Sequence, residues 1–194
     1  MGNSLWDPVS VRPDIWYEAC LETLKVWVRK SPQDWYVVHE RISVDGRPHP
    51  LRPLRTEKEK QHLRDLTWQR WAVGGESSEL QLLPAMPDRA VVVRPRYPLK
   101  VPRGNEILFF VNIPIWLRIG VGSPKPDMLC EIPSVVLSNT WFGEPTSGEL
   151  CYSLRTQAIR DLDRVPNLAH EATCPVGIQN QAPTELDFQR ICIR

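Results

Sequence analysis

Charge of one sign, long apolar runs, paired cysteines and catalytic signatures are all scarce in this sequence, and each scarcity excludes something. Over 194 residues, 24 Lys plus Arg face 23 Asp plus Glu, a formal net charge of +1. Binding nucleic acid through its phosphates needs a basic stripe. The most basic stretch, HPLRPLRTEKEKQHLR at 49–64, carries its own acids, Glu57 and Glu59. No nucleic-acid partner is expected. The longest apolar run is broken by Asn112, Pro114 and Arg118, well short of the ~20 residues of a membrane-crossing helix. The N-terminus, MGNSLWDPVS, has no positive region followed by an apolar one. Gly2 invites myristoylation, but Trp6 stands where Ser or Thr is wanted. The expectation is a soluble, cytoplasmic protein with no transmembrane segment.

The five cysteines, Cys20, Cys130, Cys151, Cys174 and Cys192, are far apart and odd in number. They contain no C-x-x-C pair and no Cys/His spacing of a zinc site. They read as small, buried, reduced side chains, with no disulfide framework, metal or cofactor expected. There is no G-x-S-x-G, phosphate-binding loop, G-x-G-x-x-G or H-E-x-x-H. His39 and Glu40 adjoin on a strand and so point to opposite faces. A Cys151–His170 nucleophile pair competes with an inert buried thiol, and the inert thiol is preferred. Asp127 with Glu131, and Asp161 with Asp163, read as solvated or capping acids rather than cation ligands. No catalytic residue is assigned, and the reading leans away from an enzyme.

What is present is proline and alternation. Nineteen prolines forbid long helices and suit short strands joined by stiff loops. In ILFFVNIPIWLRIGV, residues 107–121, every odd position is apolar, the period of a strand with one buried face. Fifteen residues are too long for one ordinary strand. Pro114 therefore marks a bend or the border between two pairing partners, with the odd face unbroken through Ile113 and Ile115. LKVWVRK and DWYVVHERI around the turn SPQD read as a hairpin, with Tyr36, Val38 and Ile42 on one face. Thr56 and Glu59 form a capping-box pattern ahead of Leu63 and Leu66, the one good helix; WQRWAV after it fits helix or strand. ELQLLP, RAVVVRP, ILFFVNIP, IWLRIGV, SVVLSNTWF and ELCYSLRT complete a mainly β chain. The fold class expected is a β-sandwich or jelly-roll-like set of antiparallel sheets with one or two short helices. Residues 1–20 are expected as an irregular arm with a short helix, and 21–194 as a single β-rich domain.

At the C-terminus, Leu186 and Phe188 alternate in one parity and Ile191 and Ile193 in the other. A one-residue bulge near Gln189–Arg190 would align them. Either this strand is paired at a sheet border, or the natural protein continues past Arg194.

Pro84, Arg94-Pro95, Val101-Pro102, Ile113-Pro114, Gly143, Gly148 and Cys151-Tyr152 follow one another in an order that resembles an uncharacterised bacterial and archaeal family. That family is catalogued as domain of unknown function 432. The resemblance covers about residues 20–194 and implies no catalytic residues. Some members are encoded beside mechanosensitive-channel genes, which implies a partner in a membrane-channel system.

SNTWFGEPTSGELCYSL is the most distinctive segment. Alternation puts Val135, Leu137, Asn139 and Trp141 on one face of its first strand and Leu150, Tyr152 and Leu154 on one face of its second. The plain reading is a core hairpin. The sharper one is a recognition edge for a partner, with Trp141, Phe142, Glu144, Thr146 and Tyr152 as binding residues. The leading functional expectation is a noncatalytic β-sandwich interaction module that binds another protein or itself. The alternative, prompted by eight tryptophans, is a carbohydrate- or small-ligand-binding module. An unrecognised enzyme comes third.

Overall fold

The computed structural model describes residues 4–42, 46–74 and 77–194. In chain order the strands are β1 (Val9–Ser10), β2 (Trp16–Leu21), β3 (Leu24–Lys30), β4 (Asp34–Arg41), β5 (His49–Pro53), β6 (Gln69–Ala72), β7 (Glu79–Ala85), β8 (Val91–Pro95) and β9 (Leu99–Val101). They continue with β10 (Glu106–Pro114), β11 (Trp116–Val121), β12 (Asp127–Pro133), β13 (Ser138–Phe142), β14 (Glu149–Thr156), β15 (Glu171–Gln179), β16 (Leu186–Phe188) and β17 (Ile191–Ile193). One short helix, α1 (Glu57–Gln61), runs into a 3-10 turn over His62–Asp65. The protein is mainly β, and its sheets are mostly antiparallel.

Two compact units make up the chain: residues 1–85 with 116–135, and residues 86–115 with 136–194. Each is built from two separated segments, so no linker marks either one in the sequence.

In the first unit, β5-β2-β3-β4-β6 form a five-stranded sheet and β1-β7-β11-β12 a four-stranded one. The four-stranded sheet buries Leu80, Leu82, Leu117, Ile119 and Ile132 on one face, while Arg118 and Glu131 stay half-buried on the other. That one-sided alternation is the mark of a sheet covered on a single face. The central strands of the five-stranded sheet, β2, β3 and β4, are buried on both faces. Ala19, Val26, Val28 and Val37 lie on the side tied to the other sheet by hydrogen bonds from Thr23 Oγ1 to Ser134 O (3.2 Å) and Lys30 Nζ to Ser77 O (2.7 Å). Trp16, Trp27 and Val38 lie on the opposite side, packed with Leu54 and Leu63 of the helical segment. The capping box is formed: Thr56 Oγ1 accepts from Glu59 N–H, and Glu59 Oε2 accepts from Thr56 N–H at 3.0 Å. WQRWAV resolves into β6, an edge strand on β4.

The irregular arm expected over residues 1–20 stops short of that length. Trp16–Leu21 form β2, buried at every residue, and the described residues 4–20 contain no helix. Burial on both faces erases the period-two signal that sequence reading depends on.

The second unit holds β13-β14-β8-β17, the ribbon β10-β15 and the small pair β9-β16. Its core is Val91, Val93, Phe109, Val111, Ile113, Val176 and Phe188. The pairing of β14 with β8 is parallel, the others antiparallel. Pro114 ends β10, whose partner is β15, and β11 begins two residues later between β7 and β12. The proline thus stands at the border between two sets of partners, where Ile115 N–H donates to His170 O at 2.9 Å.

Two strand expectations change. SVVLSNTWF contributes only Ser138–Phe142 to a strand, so Val135 and Leu137 do not continue the face of Asn139 and Trp141. The C-terminal segment is not one bulged strand. Leu186–Phe188 pairs with β9 and Ile191–Ile193 with β8, so the change of parity marks a change of partner. β17 does lie at a sheet border.

Candidate functional site

β13 is one border of the four-stranded sheet in the second unit, and a tight turn joins it to β14. Three donors fix that turn on one acceptor: the Glu144 carbonyl receives Ser147 N–H (3.3 Å), Gly148 N–H (2.8 Å) and the Trp141 indole Nε1 (3.0 Å). Gly143 supplies the left-handed backbone, at φ +107°, that other residues rarely adopt. Trp141 pairs across the strands with Leu150, and both rings and branches remain 47% exposed. Met86, 43% exposed, joins Leu150 in lining a cleft of about 370 Å³ with Asp88, Arg89, Ile193 and Arg194.

The five residues expected to bind a partner divide in two. Trp141, Phe142, Glu144 and Thr146 gather at the hairpin tip; Phe142 is half-buried beneath Arg190, whose guanidinium carbon lies 5.4 Å from the ring centre. Tyr152 belongs to the wall of the core instead. Its hydroxyl donates to Asp88 Oδ1 at 2.8 Å, and burial followed by the Asp88 carboxylate pushes its pKa up. Sequence reading missed Met86, which carries no signal beyond being apolar, and placed Leu150 only on the alternating face with Tyr152 and Leu154, not among the binding residues.

The opposite face of the same sheet carries Glu149, Cys151 and Cys192. A Glu149 carboxylate oxygen and the two Sγ atoms lie within 4.8 Å of one another. Cys151 is fully buried and Arg194 pairs with Glu149. Burial, reinforced by the Cys192 thiol, pushes the Cys151 thiol up. The remaining titratable groups have different neighbours: His170 is 3.9 Å from Glu171, Glu131 accepts from Arg118 Nε at 2.6 Å, and Asp161 caps a 3-10 turn through Asp163 N–H. Glu40, turned away from His39, meets His62 at 2.8 Å. Among the eight tryptophans only Trp141 is exposed; Trp16, Trp27 and Trp35 are buried.

Edge strands are normally blunted by charge, proline or brevity. β5, β6, β10, β12 and β15 each contain a charged residue or a proline, and β1, β9, β16 and β17 have three residues or fewer. Among the described residues, β13, with the sequence SNTWF, is the border strand longer than three residues that has neither.

The fold and this edge define a class: a mainly β protein of mostly antiparallel sheets in which, among the described residues, β13 is a border strand longer than three residues without charge or proline. The chain belongs to the family described as Protein of unknown function (DUF432), whose sequence model matches residues 5–194. No curated protein and no solved structure matches it. No helix among the described residues is long and apolar enough to cross a membrane.

Proposed function

We propose that this protein is a noncatalytic binding module that takes an extended segment of a protein partner, or of a second copy of itself, on the free edge of β13. The observation that carries the reading is that unblunted edge, flanked by the exposed Trp141–Leu150 pair. Strand addition supplies affinity through main-chain hydrogen bonds and specificity through side-chain pockets. The family resemblance points to a component of a membrane-channel system as the partner.

Size-exclusion chromatography with light scattering, together with capture of partners from lysate, tests this. Asn139, the exposed second residue of β13, is the place for a charge. The expected result is a dimer or a retained partner that Asn139→Lys releases without unfolding the protein. A strictly monomeric wild type that retains nothing, or a complex indifferent to Asn139→Lys, overturns the reading.

A further inference from the structure

We propose that Glu149, Cys151 and Cys192 form a binding site for a thiophilic divalent cation, with Zn²⁺ as the first choice. Their three ligating atoms lie within 4.8 Å of one another. Tetrahedral zinc with bonds of about 2.0–2.3 Å sets its ligands roughly 3.3–3.8 Å apart. Small side-chain movements therefore close the site. Two thiolates with one carboxylate suit Zn²⁺ far better than Mg²⁺ or Ca²⁺, which prefer oxygen alone. Glu149 and Cys192 are half-buried, so an ion has a way in and a water can complete the fourth position. Arg194 already holds positive charge against Glu149, and an arriving cation takes over that role.

The sheet itself argues against a disulfide as the purpose of these two thiols. Cys151 is on β14 and Cys192 on β17, on opposite sides of β8. Strands separated by a whole strand are about 9.5 Å apart, beyond the ~7 Å between Cα atoms that a disulfide tolerates. A metal spans the gap because each thiol keeps its own bond of about 2.3 Å to the ion. The same placement explains why no zinc spacing is visible in the sequence: the ligands come from separate strands that only the sheet brings together. On binding, both thiols release their protons to solvent and the ion bonds to the two thiolates and the carboxylate. The ion then ties β14 to β17 across β8, stiffening the sheet that presents β13.

The test uses the full chain, reduced and stripped with a chelator, then titrated with Co²⁺ and with Zn²⁺. The expected result is one equivalent of Co²⁺ with thiolate-to-cobalt charge-transfer absorption, displaced by Zn²⁺, and a higher unfolding midpoint with Zn²⁺ bound. Cys151 is buried and its replacement puts the fold at risk, so the half-buried ligands carry the test. Cys192→Ser should weaken Zn²⁺ by at least about a hundredfold and Glu149→Gln by at least about tenfold, given that losing even an outer-shell partner costs about 10–100-fold. Cys174→Ser, in the unrelated strand β15, should bind as wild type does. Absence of the charge-transfer band, or the same band and affinity in Cys192→Ser, overturns the proposal.

Discussion

Glu18 faces Trp27 across the β2–β3 pair and accepts a 2.8 Å hydrogen bond from its indole Nε1. The same carboxylate meets Arg52 at 2.7 Å and His49 at 3.3 Å, in a place that is almost fully buried. The His49 hydrogen bond, helped by Lys25, Trp27 and Arg52, outweighs burial and holds the Glu18 pKa at about 2, below its ordinary 4.5. His49 is raised above 6.5, first by Glu18.

The two shifts act at opposite ends of the pH scale. A depressed carboxylate contributes stability that is complete above 4.5 and is lost as pH falls toward about 2. The fall from 4.5 to about 2 corresponds to roughly 3 kcal/mol. A raised histidine contributes stability that is complete below 6.5 and is lost as pH rises through its folded value. Denaturant titrations across pH should therefore show a maximum between these limits. Glu18→Gln should remove both flanks, and its His49 imidazole should titrate lower by NMR. An unchanged acid limb in Glu18→Gln would show that other carboxylates carry it.

Val111 and Leu117 lie on the odd-numbered row of one apolar stretch yet serve different cores. Val111 packs with Val93, Phe109 and Val176, while Leu117 pairs with Pro84 and Ile132 in the other unit. Either residue replaced by Asp buries a charge without a partner, at a cost of several kcal/mol against a total of ~5–15 kcal/mol. Each should prevent folding of its own unit, visible as loss of amide protection there in hydrogen exchange. Arg118→Ser removes a cross-strand pair with Glu131 that is half-exposed, and should cost under about 1 kcal/mol. Equal mildness in Val111→Asp and Arg118→Ser would mean that alternation here does not report burial.

Arg29 is ringed by aromatics, its guanidinium carbon 4.9 Å from the Tyr36 ring centre, 5.4 Å from Trp16 and 5.9 Å from Trp68. A planar guanidinium stacks on these faces and an ammonium does not. Arg29→Lys keeps the charge and should still lose about 1 kcal/mol, read by thermal unfolding. A variant as stable as wild type would reduce the cage to simple packing.

Gly148 closes the hairpin that carries Trp141. A Cβ there would stand 2.6 Å from Phe142 O and 2.8 Å from Glu144 O, both backbone atoms unable to move aside cheaply. Gly148→Ala should destabilise by about 1–3 kcal/mol. Gly177, in β15, has nothing within 4 Å of the same position, and its alanine variant should stay within about 0.5 kcal/mol of wild type. Matching denaturation midpoints for the two variants would contradict the crowding at the turn.

Legibility followed the range of each interaction. The Thr56–Glu59 capping box is closed within four residues, and the β3–β4 hairpin around SPQD is set by its turn; both could be read directly. β2 could not, because a layer buried on both faces shows no alternation. The hairpin tip was readable as a recognition candidate from Trp141 and its turn residues. Met86 and Leu150 beside it were not, since nothing local separates an exposed apolar residue from a buried one.

By itself the sequence determined that the chain is mainly β, where Pro114 interrupts pairing, and which row of 107–121 is buried, since period and proline act through the local backbone. Tertiary structure alone decided that this row is shared between two cores, that Leu186–Phe188 and Ile191–Ile193 take different partners, and that Cys151 meets Cys192 across β8. A strand's alternation encodes that one face must be covered. Which strand lies beside it depends on contacts between segments far apart in the chain, and no local pattern records those.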